Sequence, residues 1–230
     1  MKLLTIDTST TACSVALSIG EKIVAEYQGN NGKTLSSRVL DFVSKVLDEA
    51  GVATDELDGI GVAIGPGSFT GLRVGIATAK GLAMAAGTRI AGFSSLSMLA
   101  MNLPWAVHPV CPMFDARKNE IYCGLYECRD FPVPLLQDRV VPPAHFLQGL
   151  EGPVIFAGEG AVRYRELILN ILGERAIFAP FAANTPRASA GALLAARAFA
   201  RGEALASDLL LPAYIRLSEA ELARIARQAP

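Results

Sequence analysis

Read for periodicity and turn signals, the chain runs βββαβαβα and then runs βββαβαβα again. Repetition of a whole order constrains the fold far more than any single helix or strand does. In the first copy, strands are predicted at 2–7, 12–19 and 22–27, with Gly20-Glu21 as a hairpin turn. A helix follows at 34–50, with Thr34 as its cap and Gly51 just past its end. Leu35, Val39, Phe42, Val43, Val46, Leu47 and Ala50 form its apolar stripe. A strand at 57–64, a helix at 71–86 closed by Gly87, a strand at 89–93 and a helix capped by Ser94 complete the copy.

The second copy places strands at 109–115, 120–127 and 135–141, a short helix at 143–149 and a strand at 153–157. A helix at 161–172 ends at Gly173, and a strand spans 175–179. A long helix then has Thr185 as cap, Pro186 in its first turn and Gly202 beyond its end. The break between copies falls around Pro104 and Pro109, which predicts lobes at 1–103 and 104–230. Segment 209–217 leads into a short helix opened by a Ser218/Glu221 capping box, and residues 209–230 are expected to pack back on the first lobe.

Each copy opens with a strand ending in aspartate, Asp7 and Asp115. Duplicated lobes with an acid after each first strand resemble the actin-like, sugar-kinase and chaperone-ATPase superfamily, which is ribonuclease H-like and of α/β class. The alternative is two independent α/β lobes with coincidental acids. In that superfamily the paired loops face a cleft and bind nucleotide phosphates through Mg²⁺. Close approach of backbone NH groups to phosphate calls for glycine after each acid. Here the loops read Asp7-Thr8-Ser9-Thr10-Thr11 and Asp115-Ala116-Arg117-Lys118-Asn119, with none. Glu159, between Gly158 and Gly160, puts a carboxylate where an adenosine-binding turn prefers small neutral residues. Asp7, Thr8, Ser9 and Asp115 therefore read as degenerate phosphate-loop positions, and no cofactor is expected for the isolated chain.

Composition narrows the function further. With 21 basic and 22 acidic residues the net charge is −1, so a basic surface that binds nucleic acid unaided is not expected. Cys13, Cys111, Cys123 and Cys128 form no Cys-x-x-Cys pair, and the only histidines are His108 and His145, so no metal site is predicted. No Gly-x-Ser-x-Gly elbow and no His-Glu-x-x-His occurs. The first seven residues are too short for a signal peptide, and no stretch approaches the ~18 apolar residues of a membrane span. A cytoplasmic protein is expected.

The longest motif is Gly65-Pro66-Gly67-Ser68-Phe69-Thr70-Gly71-Leu72-Arg73-Val74-Gly75, between a strand and a helix. Such a junction is a ready anion site, yet no Gly-Lys-Ser/Thr follows at Walker A spacing. Gly65, Pro66, Gly67, Gly71 and Gly75 read better as the rigid entry to the helix, with Ser68 or Thr70 as its cap.

This motif, the stretches Leu4-Thr5-Ile6-Asp7-Thr8-Ser9 and Cys13-Ser14-Val15-Ala16-Leu17, and Asp115-Ala116-Arg117-Lys118-Asn119-Glu120-Ile121-Tyr122 closely resemble the bacterial TsaB (YeaZ) family. Pro212-Ala213-Tyr214-Ile215-Arg216 is a weaker match; the likeness is firm over 1–127 and thin over 128–207. The resemblance implies a non-catalytic scaffold that acts with the paralogue TsaD and the ATPase TsaE. Together they transfer threonylcarbamoyl from threonylcarbamoyl-adenylate to the adenosine beside the tRNA anticodon. It implies a homodimer when alone, tRNA contact only through the complex, no membrane, and any ATP or ADP confined to the interface shared with the partner. The catalytic paralogue carries a His-x-x-x-His metal pair on its first helix, where this chain reads Leu35-Ser36-Ser37-Arg38-Val39. The competing enzyme readings are an ATP-dependent small-molecule kinase using the inter-lobe cleft, and a metallopeptidase.

Helix 71–86 carries two lines of small residues, Gly75, Ala79, Ala83 and Ala77, Gly81, Ala85. Small residues at i, i+4 let helix axes approach closely. Two lines suggest packing on both sides, the second against the first helix of the lobe or against a partner. The family docks partners through this helix and the preceding one, which implies an interface of Ser36, Leu40, Arg73, Ile76, Ala77, Lys80 and Met84.

Overall fold

The computed structural model describes residues 1–29 and 35–216. Thr34 and the Ser218/Glu221 capping box lie outside the described residues. The first half comprises strands β1 (Lys2–Asp7), β2 (Cys13–Ile19) and β3 (Lys22–Gly29), helix α1 (Leu35–Ala50), β4 (Gly59–Gly65), α2 (Phe69–Ala86), β5 (Arg89–Ser94) and α3 (Ser95–Ala100). The second comprises β6 (Val110–Arg117), β7 (Glu120–Cys128), β8 (Pro132–Val141), α4 (Pro143–Gln148), β9 (Val154–Ala157), α5 (Glu159–Arg163), α6 (Arg165–Leu172), β10 (Ala176–Phe178) and α7 (Ala188–Ala200).

The repeat is real in three dimensions. The first sheet has the order β3-β2-β1-β4-β5, and the second, read from its other edge, β8-β7-β6-β9-β10. In each, the first three strands form an antiparallel meander and the last two add in parallel beside the first. The inner strands are buried on both faces, as strands covered by helices on both sides must be. Leu4 and Ile6 of β1 face a core built with Val39, Val43, Val46, Leu72, Ile76 and Ala79 of α1 and α2. Leu3 points the other way, into a core shared with Ala190 and Ala195 of α7.

α7 follows the second sheet in sequence but packs on the first, against β1, β2, β4 and β5. Conversely, Leu96 and Leu99 of α3, from the first half, share a core with Val110, Phe114 and Tyr126 of the second sheet. The two halves thus exchange their last helices.

Of the elements that differ from their predicted bounds, four have a reason in named contacts or backbone geometry. α7 starts at Ala188 rather than after Thr185 because the preceding carbonyls are taken. Asn102 Nδ2 donates to Ala183 and Thr185, and Gln28 Nε2 to Pro186. The helix is capped from the first sheet instead. Ser14 Oγ accepts from the Ala188 amide, and the Glu26 carboxylate accepts from the Ser189 amide and hydroxyl, each at 2.9 Å. β8 begins earlier than expected, at Pro132, because an edge strand tolerates Pro132 and Pro134, whose missing donors no neighbour requires. The single helix predicted at 161–172 is two, α5 and α6, parted at Tyr164 with φ −99° and ψ 20°. α2 begins at Phe69, with Ser68 as the cap accepting from the Gly71 amide.

Beyond α7 the chain returns to the first sheet. Leu205 bridges to Ile90, and the Ala213 amide donates to the Ile64 carbonyl at 2.8 Å.

Candidate functional site

Two surfaces carry the residues singled out by sequence: the cleft between the sheets, and the outer faces of α1 and α2. On the cleft side, the loop after β1 is consumed by its own neighbours. Thr8 Oγ1 donates to the Gly71 carbonyl at 2.7 Å, and the Ser9 carbonyl accepts from the Ser68 amide at 2.7 Å. The glycines of the long motif make this possible. A Cβ on Gly67 would collide with the Ser9 carbonyl, one on Gly71 with the Thr8 carbonyl, and one on Gly75 with Thr8 Oγ1. Gly65 has φ +124°, open to glycine alone at low cost, and a cis peptide joins it to Pro66. The motif is a seat for the 8–9 loop, which leaves the loop little freedom to wrap a phosphate.

Asp7, Thr8 and Ser9 are all buried. Desolvation pushes the Asp7 carboxyl up to about 6, against the pull of the Ser9 amide that donates to it at 2.9 Å. Asp115 occupies the matching position but a different environment. It is clamped by Arg163 at 2.9 Å and Arg117 at 3.5 Å, and accepts from its own Arg117 amide. The two acids that looked equivalent are therefore not a matched pair: one is sealed in the first sheet, the other is ion-paired in the cleft wall.

The cleft itself holds two adjoining cavities of about 370 and 290 Å³. Thr10, Thr11, Phe114 and Glu159 line both, and Ser9, Ser68, Phe69, Asp115 and Arg117 line the smaller. Desolvation and the neighbouring Asp115 carboxylate raise the Glu159 carboxyl above its ordinary range. The second loop turns through Arg117, Lys118 and Asn119, all at positive φ. Among the described residues no group of three or more His, Cys, Asp or Glu could hold a metal ion. Leu35 and Val39 pack into the first core rather than facing such a site. The four thiols are buried, and burial pushes Cys13, Cys123 and Cys128 up to about 12, far from a reactive thiolate.

The outer face is different in kind. Of the two small-residue lines on α2, Gly75, Ala79 and Ala83 are buried, whereas Ala77, Gly81 and Ala85 are exposed. The helices α1 and α2 touch, yet this line stays exposed. A Cβ on Gly81 would have nothing within 4 Å. Beside it stand Met84, 73% exposed, and Arg73; on α1, Ser36 is exposed and Leu40 is 55% exposed. Ile76 is a correction: it is 6% exposed and belongs to the first core, because it lies one position from the outward line. Lys80 is half-buried, its Nζ 3.5 Å from the Asp208 carbonyl. Sequence reasoning missed Phe69 and Tyr214 at the start of α2. Their rings lie 5.0 Å apart, and the Arg73 guanidinium sits 4.0 Å from the Phe69 centroid.

The family model for TsaD, tRNA N6-adenosine threonylcarbamoyltransferase, matches residues 22–224. The Bacillus subtilis tRNA threonylcarbamoyladenosine biosynthesis protein TsaB is 34% identical over 227 residues, 96% of each chain. The chain belongs to the TsaB family. A solved structure of YeaZ from Pseudomonas aeruginosa agrees, with a TM-score of 0.79 at 32% identity over 93% of this chain and 99% of that one. A ROK hexokinase from Thermus thermophilus shares the fold alone, with a TM-score of 0.52 at 12% identity over 86% of this chain and all of that one. The TsaB-family chain thus has the α/β architecture of the actin-like superfamily. Among the described residues no helix is long and apolar enough to cross a membrane.

Proposed function

We propose that this chain takes part in tRNA threonylcarbamoyladenosine biosynthesis as a non-catalytic docking subunit, required with TsaD and TsaE for transfer of the threonylcarbamoyl group from its adenylate to tRNA. Family membership supports the pathway. The observation that carries the docking role is the exposed line Ala77, Gly81, Ala85 on α2, flanked by Met84. Small side chains leave the helix backbone open to a second helix, and an exposed methionine adapts to the partner's contour. Ser36, Leu40 and Arg73 extend this face, while Ile76 supports it from the core.

The cleft supports the same reading from the other side. A phosphate loop must offer free amides and hydroxyls, and here the Thr8 hydroxyl is spent on the Gly71 carbonyl at the entry to α2 and the Ser9 amide on the Asp7 carboxylate. Nucleotide, where it binds at all, belongs to the surface shared with TsaD. In the absence of TsaD a second copy covers the same face, giving a homodimer. A reconstituted tRNA-modification assay tests the role: omitting this chain abolishes modification and restoring it recovers activity. Full modification without it contradicts the proposal, and micromolar Mg-ATP affinity of the isolated chain would favour the kinase reading.

A further inference from the structure

Residues 205–216 cross the first lobe and end on the second. The Ala213 amide is bonded to Ile64 in β4. Tyr214 stacks on Phe69, and its hydroxyl accepts from Arg73 Nε at 3.2 Å. Two residues on, Arg216 pairs with the Glu120 carboxylate and donates to the Ala116 carbonyl, both flanking the turn between β6 and β7. Three residues of chain span about 10 Å at most. The cleft rim of the second lobe therefore cannot swing away from the entry to α2 without releasing Tyr214 or Arg216. Phe69 and Ala116, the two points gripped, both line the smaller cleft cavity.

We propose that this segment is a clasp that couples the β6–β7 turn to the Arg73 end of the docking face. The Arg216 and Glu120 side chains are 25% and 31% exposed, so solvent screens their pair and it can release. A partner that engages Arg73 bears on Tyr214, and through it on Arg216 and the cleft rim. By linkage, loosening the rim weakens docking by the same factor that docking tightens the rim. The partner half of this inference rests on the docking role proposed above; the intramolecular half does not.

Hydrogen exchange on the full chain tests it. In the free protein, Arg216→Ala raises exchange at residues 115–120 and also, by at least about fivefold, at residues 69–73 in the other lobe. Glu120→Gln, which leaves the Ala116 contact in place, gives the same pattern to a smaller degree and serves if Arg216→Ala fails to fold. A rise confined to residues 115–120, or no rise, overturns the clasp. With purified TsaD added, wild type slows exchange at 115–120, and Arg216→Ala weakens TsaD affinity about fivefold. Unchanged affinity and unchanged exchange in the complex overturn the coupling to docking. If wild type does not bind TsaD, the docking role fails, and the free-chain exchange decides the clasp by itself.

Discussion

The Thr8 hydroxyl donates a 2.7 Å hydrogen bond to the Gly71 carbonyl, tying the loop after β1 to the first turn of α2. The contact is close because position 71 carries no side chain. In an open helix, replacing glycine with alanine gains about 1 kcal/mol. Here the new methyl would meet the Thr8 carbonyl, a backbone atom with little room to yield. Gly71→Ala is expected to lose about 2–4 kcal/mol in urea unfolding. A stabilised variant would show that the loop is not seated on α2.

Gly81, on the exposed line of α2 opposite the seat, carries the opposite expectation. With nothing within 4 Å of its would-be Cβ, Gly81→Ala should stabilise the isolated chain by about 0.5–1 kcal/mol. The same methyl should weaken complex formation with TsaD if helices approach along Ala77, Gly81 and Ala85. Calorimetric titration reads the affinity and thermal unfolding the stability; a gain in both would remove Gly81 from the docking face.

Asp7 makes stability depend on pH. Its carboxyl titrates near 6 in the folded chain against 3.8 ordinarily, so between those values the native state binds the extra proton. Stability from this group is present below about pH 4 and is lost as pH rises through 6. Asp7→Asn keeps an acceptor for the Ser9 amide and removes the buried charge. It should therefore be the more stable protein at pH 7, by on the order of 2 kcal/mol, with the advantage gone at pH 4. Paired unfolding curves at the two pH values check this, because other carboxyls cancel in the difference.

Glu26 holds the start of α7 from the neighbouring sheet through the Ser189 amide and hydroxyl. Removing a cap with a charged acceptor costs about 1–2 kcal/mol. Glu26→Ala should lower stability by that much in urea unfolding, whereas Glu21→Ala, in the exposed β2–β3 turn, should change it little.

Local pattern accounts for what was readable. The duplicated order, the strand-ending acids and the Gly51 and Gly87 helix stops are signals written within a few residues, and the sheets follow them. The exchange of α3 and α7 between sheets has no such signal, since each helix is apolar on the side it buries whichever sheet receives it. The cap of α7 comes from Ser14 and Glu26, more than 160 residues away, so Thr185 and Pro186 were the natural local choice. On the docking face, helical periodicity separated the two small-residue lines but not which one faced solvent; Ile76 fell on the wrong side of that division. The grips of Tyr214 and Arg216 depend on where the chain returns, which no spacing in the sequence encodes.

The docking role proposed for α1 and α2 places TsaD over Ala77, Gly81 and Ala85. The direct measurement is size-exclusion mixing of purified TsaD with wild type and with Ala77→Trp, an exposed site where a large side chain leaves the core intact. Wild type should co-elute with TsaD, and Ala77→Trp should elute apart at unchanged melting temperature. Undiminished co-elution of a folded Ala77→Trp variant would contradict the claim.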